Sequence, residues 1–443
     1  MVERRIVIST LGDYSAYQEV NYSLKLPDST ITEKSSFSAA ALAKMVNADS
    51  IVVFAPISLV VNDPSLQEGV SVKDLSHRLQ LSIKEFLDKQ LDSRIKKEIY
   101  VVPVKGKFLT KSNSKTLVEI KTGVGNFYVE VYRIVAEFLK NNRNCEVLVD
   151  TTHSLNFTTL DMVEATNLAL RYIDASEPGE HQFTFEVYNS DPFIRGFDTP
   201  LYLNLTRREK INNRPQSISK IAGEVLYNLD LNYVKRALNK IGLRFDKTAQ
   251  KIKKLAYAFL LGCLLFIGSY QETVKSLSSS LWEAIVGADG ISRAENTLYS
   301  NGVIDLGAEL ERELPKIHAF LSSISSNEFS KLDKSTEISV LKSVSRSLVE
   351  PGSTLLKNEL DLLCNKFEEL PNEERKDVML LSEIIDRRDA ERVRGHSNCC
   401  LDKRNFVAHA GLEENVTWVE FKDEKIFLSY RDCLREVEKV LKA

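Results

Sequence analysis

"CEVLVDTTHSLNFTT", residues 145–159, changes character twice within a short span. It begins as a run rich in apolar and β-branched residues (145–151), passes through the polar cluster Thr151, Thr152, His153, Ser154 and Asn156, then takes up a helical pattern that continues to about 172. An apolar run without strict alternation is what a strand shows when both its faces are buried in a parallel sheet. The same order recurs outward from this point. Strand-like runs stand at 4–10, 50–56, 98–104, 183–189 and 201–205, and helical patterns at 36–47, 74–93 and 126–141. Such alternation predicts a doubly wound α/β domain with a largely parallel sheet. The last two strands have no helix-length connection between them and are expected to form an antiparallel edge.

After about residue 206 the grammar changes. "TRREKINNRPQS" (206–217) is polar, contains Pro215 and reads as a linker. From 218 to about 394 apolar residues recur three and four apart, so this portion is expected to be mostly helical. "LAYAFLLGCLLFI" (255–267) is too short to span a bilayer and reads as one buried helix, a plausible surface for self-association. "VTWVEFKDEKIFLSY" (416–430) alternates around a polar turn and predicts one small β-hairpin, followed by a closing helix at 431–442. The expected division is 1–206 and 207–443, with 207–217 as linker.

With 443 residues, 43% hydrophobic and 27% charged, the chain has the composition of a soluble globular protein of two domains. A net charge of −3 gives no global attraction to nucleic acid or membrane, so a polyanion would have to be bound at a focused site. Six cysteines do not make a disulfide framework in a chain of this length. Cys145, Cys263, Cys364 and Cys433 read as small apolar residues. Arg4 and Arg5 lead straight into the first strand without a signal-peptide pattern, and a cytoplasmic location is expected.

Ligands of open α/β sheets bind at loops leaving the carboxyl ends of strands. The loop after the first strand, "STLGDYSAY" (9–17), offers Thr10, Gly12, Asp13 and Tyr14. The loop after the fourth offers Thr151, Thr152, His153 and Asn156 beside a helix N-terminus, where free N–H groups suit an anion. "TGVGNF" (122–127) adds Gly125 and Asn126 as a third candidate. Thr151, Thr152 and Asn156 could equally be helix caps, but capping requires no imidazole. The absence of GxGxxG after the first strand, and of a phosphate-loop lysine, argues against dinucleotide cofactors and NTP hydrolysis.

The second chemical cluster is "DKRNFVAHAG" (402–411). At about 100° per residue, Asn405 and His409 share a helix face, whereas Arg404 must sit in an irregular first turn or reach around. Asp402 or a neighbour is the expected N-cap, Gly411 the stop, and Phe406, Val407 and Ala408 the anchor. His396, Cys399, Cys400 and His409 fit no common zinc spacing, so no metal is expected. His318 lies among apolar neighbours and reads as a core histidine; His77 and His181 read as exposed. The basic run 386–396 could be a solvated helix face or local positive charge for a polyanion.

Taken together, "STLGDY", "DTTHSLN" and a late "RNFVAH" resemble the CRISPR-associated CARF–HEPN ribonucleases. The first two resemble the ligand loops of CARF domains over about 1–205; the third is similar to the R-X4–6-H motif of HEPN ribonucleases. The resemblance implies a Rossmann-like sensing domain joined to a helical HEPN domain. It also implies a homodimer, or a higher oligomer of dimers, binding one cyclic oligoadenylate, most often cyclic tetra-adenylate. On the matching positions, Thr10, Gly12, Asp13, Tyr14, Thr151, Thr152, His153 and Asn156 become ligand contacts, with Gly125 and Asn126 of the 122–127 turn added as candidates from their residue types. Arg404, Asn405 and His409 become half of a composite, metal-free site cleaving single-stranded RNA. The alternative is a non-enzymatic CARF regulator whose helical half binds DNA or protein.

Overall fold

The computed structural model describes residues 4–441 apart from 64–65, 110–116, 124, 154–155, 178, 180, 194–198, 231, 233–235, 237, 240–244, 288–296, 308–309, 372, 374, 376, 386–398 and 400. The chain forms two units: one from 1–173, 179–212 and 283–315, the other from 174–178, 213–282 and 316–443. The first begins β1 (Arg4–Thr10), β2 (Val20–Lys25), β3 (Thr30–Ser35), α1 (Ser38–Met45), β4 (Ser50–Pro56), α2 (Val72–Gln90) and β5 (Lys96–Val102). It continues through β6 (Gly106–Leu109), β7 (Leu117–Lys121), α3 (Asn126–Leu139), β8 (Asn144–Asp150), α4 (Asn156–Ser176), β9 (Gln182–Ser190) and β10 (Leu201–Ile211). A later strand, β11 (Val303–Asp305), returns to it and pairs in parallel with β7.

Among the described residues the main sheet runs β3-β2-β10-β9-β8-β1-β4-β5, and β11-β7-β6 form a small second sheet. The neighbours from β9 through β8, β1 and β4 to β5 pair in parallel, as the apolar runs predict. β10 pairs antiparallel with β9 but is not an edge, because the hairpin β2–β3 extends the sheet beyond it. That hairpin escaped the sequence reading because "VNYSLK" and "TITEKS" are largely polar and half-exposed. β10 is longer than expected and passes residue 206. Asn213 then caps the next helix, its Oδ1 accepting from the Gln216 N–H at 3.1 Å, with Pro215 in the first turn. The expected linker is therefore strand and helix; Pro215 opens a helix rather than marking a break.

β1 and β8 are adjacent and parallel, with Ser9 opposite Asp150. Their carboxyl ends therefore emerge side by side, and the segments at 10–17 and 151–153 leave from the same edge of the sheet.

Beyond β10 the chain continues through α5 (Arg214–Tyr227), α6 (Phe245–Leu260), α7 (Leu264–Gly268), α8 (Gln271–Val286), α9 (Glu313–Ser325), β12 (Ser335–Glu337), α10 (Ile338–Ser345) and α11 (Gly352–Glu368). It closes with β13 (Val378–Leu380), α12 (Leu381–Ile385), α13 (Lys403–Ala408), β14 (Trp418–Lys422), β15 (Lys425–Ser429) and α14 (Leu434–Val440). The apolar run 255–267 is two helices rather than one. Gly262, at φ +77°, breaks it, and a Cβ there would sit 3.3 Å from the Gly352 carbonyl oxygen. The 416–430 hairpin is present, its turn made by Asp423 and Glu424 at φ +52° and +61°. It is not alone: β12 and β13 flank it, giving the sheet β12-β15-β14-β13. The flanking strands are three residues each, too short to show a period of two. No described helix is long and apolar enough to cross a membrane.

His318 is a core residue as the sequence suggests, 2% exposed, its Nε2 3.0 Å from Ser322 Oγ and its ring stacked on Trp282. His181, by contrast, is buried rather than exposed, stacked on Phe183. Burial lowers the His318 imidazole from 6.5 to about 3. The unfolded chain therefore takes up the proton first, so this residue's contribution is complete above 6.5 and is lost as pH falls from there towards about 3. At about 1.4 kcal/mol per pH unit, moving from neutral pH to about pH 5 should remove about 2 kcal/mol. Urea unfolding at the two pH values should show that loss in the wild type, and a difference smaller by about that amount in His318→Phe.

Candidate functional sites

The two polar loops of the first unit meet through specific contacts. Asp150, fully buried at the end of β8, accepts from Ser38 Oγ (2.6 Å) on one oxygen and from Thr152 Oγ1 (2.6 Å) on the other. Thr152 Oγ1 accepts in turn from the Ser190 N–H at 3.1 Å, while Thr151 Oγ1 donates to the Tyr188 carbonyl at 2.8 Å. These bonds fix the backbone on which His153 stands. Its ring stacks on Tyr17 with centroids 4.3 Å apart, and its Nε2 lies 3.1 Å from Tyr22 Oη. Tyr17 closes the circuit, its hydroxyl accepting from the Gly12 N–H at 2.8 Å. A Cβ on Gly12 would lie 3.0 Å from that hydroxyl, which is why a glycine suits the position. Burial lowers the His153 imidazole from its ordinary value, with Asp150 opposing, so the ring favours its neutral form. Burial likewise raises the phenols of Tyr17 and Tyr22, which remain protonated donors.

Tyr17, Tyr22, Thr152, His153, Ser190 and Asp191 help to line an open cleft of about 700 Å³, in the size range of small-ligand sites. Thr10 is fully buried and does not line the cleft; its Oγ1 lies 3.5 Å from the His153 carbonyl. Asp13 accepts from Ser15 Oγ, and Tyr14 turns towards α2, bonded to Ser82 and packed on Phe86. Gly125 and Asn126 are occupied elsewhere. A Cβ at Gly125 would fall 2.3 Å from the Leu310 carbonyl oxygen, and the buried Asn126 side chain accepts from the Leu310 N–H at 2.6 Å. In this structure those two residues hold the chain at 310–312. Asn156 opens α4; its side chain lies outside the described residues.

In the second unit α13 is short and well specified. The Asp402 carboxylate accepts from the N–H groups of Arg404 (2.7 Å) and Asn405 (3.1 Å), making it the N-cap. Phe406 is fully buried and faces Tyr430, while Val407 is half-buried and Ala408 exposed, so one anchor residue does most of the packing. The helix ends in a Schellman arrangement: Gly411 N–H donates to the Phe406 carbonyl at 2.8 Å and Ala410 N–H to Val407 at 3.4 Å. His409 is therefore the C-cap, just beyond the regular helix, followed by Ala410 at φ +47° and Gly411 at φ +84°. Its Nδ1 lies 3.0 Å from Glu359 Oε1 on α11. Arg404 and Asn405 are exposed, and among the described residues their side chains make no hydrogen bond or ion pair.

Gly411 fixes this exit from the helix. Its carbonyl accepts from Tyr430 Oη at 2.9 Å, and a Cβ there would meet that hydroxyl at 2.9 Å and Cys263 at 3.1 Å. Left-handed strain of ~1–2 kcal/mol adds to the collision. Gly411→Ala should therefore cost about 2–4 kcal/mol in urea unfolding and lower whatever activity depends on His409.

Cys433 departs from its reading as a small apolar residue: it forms a disulfide with Cys399, Cα–Cα 5.4 Å, tying the segment that precedes α13 to the chain after β15. Cys145 and Cys263 are buried and free, and Cys364 is half-buried beside Lys342. His396, Cys400 and the basic run 386–396 lie outside the described residues.

Two family models match the chain. That described as "CRISPR system endoribonuclease Csx1, CARF domain" covers 6–192, and that described as "CRISPR system endoribonuclease Csx1, HEPN domain" covers 349–432. The chain belongs to the CRISPR-associated CARF–HEPN ribonucleases. It is also similar along almost its whole length to the CRISPR system endoribonuclease Csx1 of Methanocaldococcus jannaschii, with 25% identity over 98% of this chain and 91% of that one. Among solved structures, Enterococcus italicus Csm6 bound to cyclic hexa-2′-fluoro-hexa-dAMP overlaps 94% of this chain and 93% of its own. Its identity is 10% and its TM-score 0.28, too low to bear on fold or site.

The CARF match contains the loops after β1 and β8 together with most of the lining of the His153 cleft, and the HEPN match contains Arg404, Asn405, His409 and Glu359. Sequence reasoning passed over Tyr17, Tyr22, Asp150 and Glu359. Asp150 was legible as a carboxylate ending a buried strand, and Tyr17 lies within the quoted loop "STLGDYSAY". Tyr22 sits on the unrecognised hairpin. Glu359 carries no local signal, because a glutamate on an amphipathic helix ordinarily faces solvent.

Proposed function

We propose that this CARF–HEPN protein is a metal-independent endoribonuclease of CRISPR antiviral defence, cutting single-stranded RNA when its CARF domain binds a cyclic oligoadenylate. The observation that carries the chemistry is the capped α13, which presents an exposed arginine and asparagine five and four residues before a half-exposed histidine. RNA carries its own nucleophile. The 2′-hydroxyl attacks the adjacent phosphorus, the P–O5′ bond breaks, and the enzyme need only move protons and stabilise charge. His409 takes the 2′-OH proton or gives one to the departing 5′-oxygen. Arg404 stabilises the charge on the phosphorane, and Asn405 is free to bond the phosphate. One imidazole cannot be base and acid in the same step. A homodimer that brings together the His409 residues of its two protomers supplies both.

The CARF cleft suits a ring of adenylates for its own reasons. Stacked rings at Tyr17 and His153 offer a face to a base, and neutral donors can bond phosphates. Residues Thr10, Gly12, Asp13, Tyr14, Thr151, Thr152, His153 and Asn156 are the proposed ligand contacts, with Gly125 and Asn126, which do not line the cleft, as further candidates. Cyclic tetra-adenylate is the favoured activator, and it would bind across the dimer axis. The reading is tested by end-group analysis of RNA fragments made in EDTA with a panel of cyclic oligoadenylates. Fragments should carry a 2′,3′-cyclic phosphate (or 3′-phosphate) and a 5′-hydroxyl; a requirement for divalent metal, or 5′-phosphate ends, would contradict it.

A further inference from the structure

We infer that Glu359 is a positioning residue for His409, holding its imidazole so that Nε2 faces the RNA. This rests on the reading of His409 as the group that moves the proton. α11 buries Leu356, Leu360, Leu363 and Phe367. Glu359 stands beside that stripe, one residue from Leu360, and its side chain is only 17% exposed. A glutamate held this close to a core face ordinarily has a specific partner, and here it is His409 Nδ1 at 3.0 Å. Among the described residues neither side chain has another hydrogen bond or ion pair.

The pairing decides the tautomer. An ionised carboxylate only accepts, so Nδ1 must carry a hydrogen and the neutral ring keeps its lone pair on Nε2. It also fixes the ring's direction. His409 is a C-cap whose backbone is held by bonds to Asn405 and from Leu412, but those leave its side-chain torsions free. Asn405 does not hold the ring, because its side chain makes no hydrogen bond among the described residues. The contact from α11 is therefore what aims His409.

The test compares wild type, Glu359→Ala, Glu359→Gln, His409→Ala and the Glu359→Ala/His409→Ala double variant. All are assayed as full-length protein on single-stranded RNA with saturating cyclic tetra-adenylate, and melting temperatures are measured alongside. Glu359→Ala should lower kcat by about 10–100-fold with KM changed less than about twofold. Glu359→Gln, which keeps an acceptor at the same reach, should recover a substantial part of that loss. In the His409→Ala background, removing Glu359 should cost nothing further. Wild-type kcat in Glu359→Ala overturns the proposal, as does a further loss in the double variant or a Gln variant no better than Ala. In each case an inactive His409→Ala leaves the reading of the HEPN site standing. Full cleavage by His409→Ala would instead overturn that reading itself.

Discussion

His409→Ala should reduce RNA cleavage at saturating activator by about 10³-fold or more, with RNA affinity nearly unchanged. The size follows from what the residue does. General acid–base transfer contributes ~10²–10⁴-fold when one group acts, and in the proposed composite site both copies of the group would be lost. His409 is half-exposed at a C-cap and contributes little to packing, so the variant should fold and melt like wild type. Steady-state kinetics with an RNA-binding measurement separate the two effects: the loss belongs in kcat. Arg404→Ala should lose activity on the same scale, since its side chain has no structural partner among the described residues. A His409→Ala protein that cleaves at the wild-type rate would remove this residue from the chemistry.

The second large effect is expected in the other unit. His153→Ala should raise the cyclic tetra-adenylate concentration needed for half-maximal cleavage by about 10–100-fold, equivalent to about 1.4–2.7 kcal/mol of binding energy. The ring is at once a face stacked on Tyr17, a partner of Tyr22 and part of the cleft wall, so its removal loosens three contacts together. A ligand shifts a two-state equilibrium only by its differential affinity for the states. Weaker binding should therefore move the dose–response curve while leaving the maximal rate within reach at saturation. Titration of activator against initial cleavage rate checks this. An unmoved curve would place the ligand elsewhere; a lowered plateau at every concentration would make His153 part of the relay rather than the binding site.

The residues show why some features were readable in advance. The strands β1, β4 and β8 are apolar on both faces, and that pattern survives without any tertiary information. The cap at Asp402 and the stop at Gly411 are local chemistry, and both are where their residue types place them. What was hidden depended on distant partners. The hairpin β2–β3 is polar because it forms the exposed edge, and β11 joins a sheet some 180 residues away in sequence, a pairing no local pattern encodes. The run at 255–267 looked like one helix until Gly262 was seen to adopt φ +77° against Gly352. The Cys399–Cys433 bond and the Glu359–His409 contact are likewise long-range. At the candidate sites, Arg404, Asn405, His409 and His153 were legible from motif and loop, whereas the residues around them, Asp150, Tyr17, Tyr22 and Glu359, came from the packing.

On the proposed function, a ligand held by one unit governs the chemistry of the other. The most direct test is the initial rate at which the purified, metal-stripped protein cleaves single-stranded RNA, with and without cyclic tetra-adenylate, in EDTA. A coupling of ~1–3 kcal/mol between the sites predicts a rate at subsaturating RNA about 5–150-fold higher with the ligand. The same rate with and without every cyclic oligoadenylate tried, or no cleavage in either condition, would contradict it.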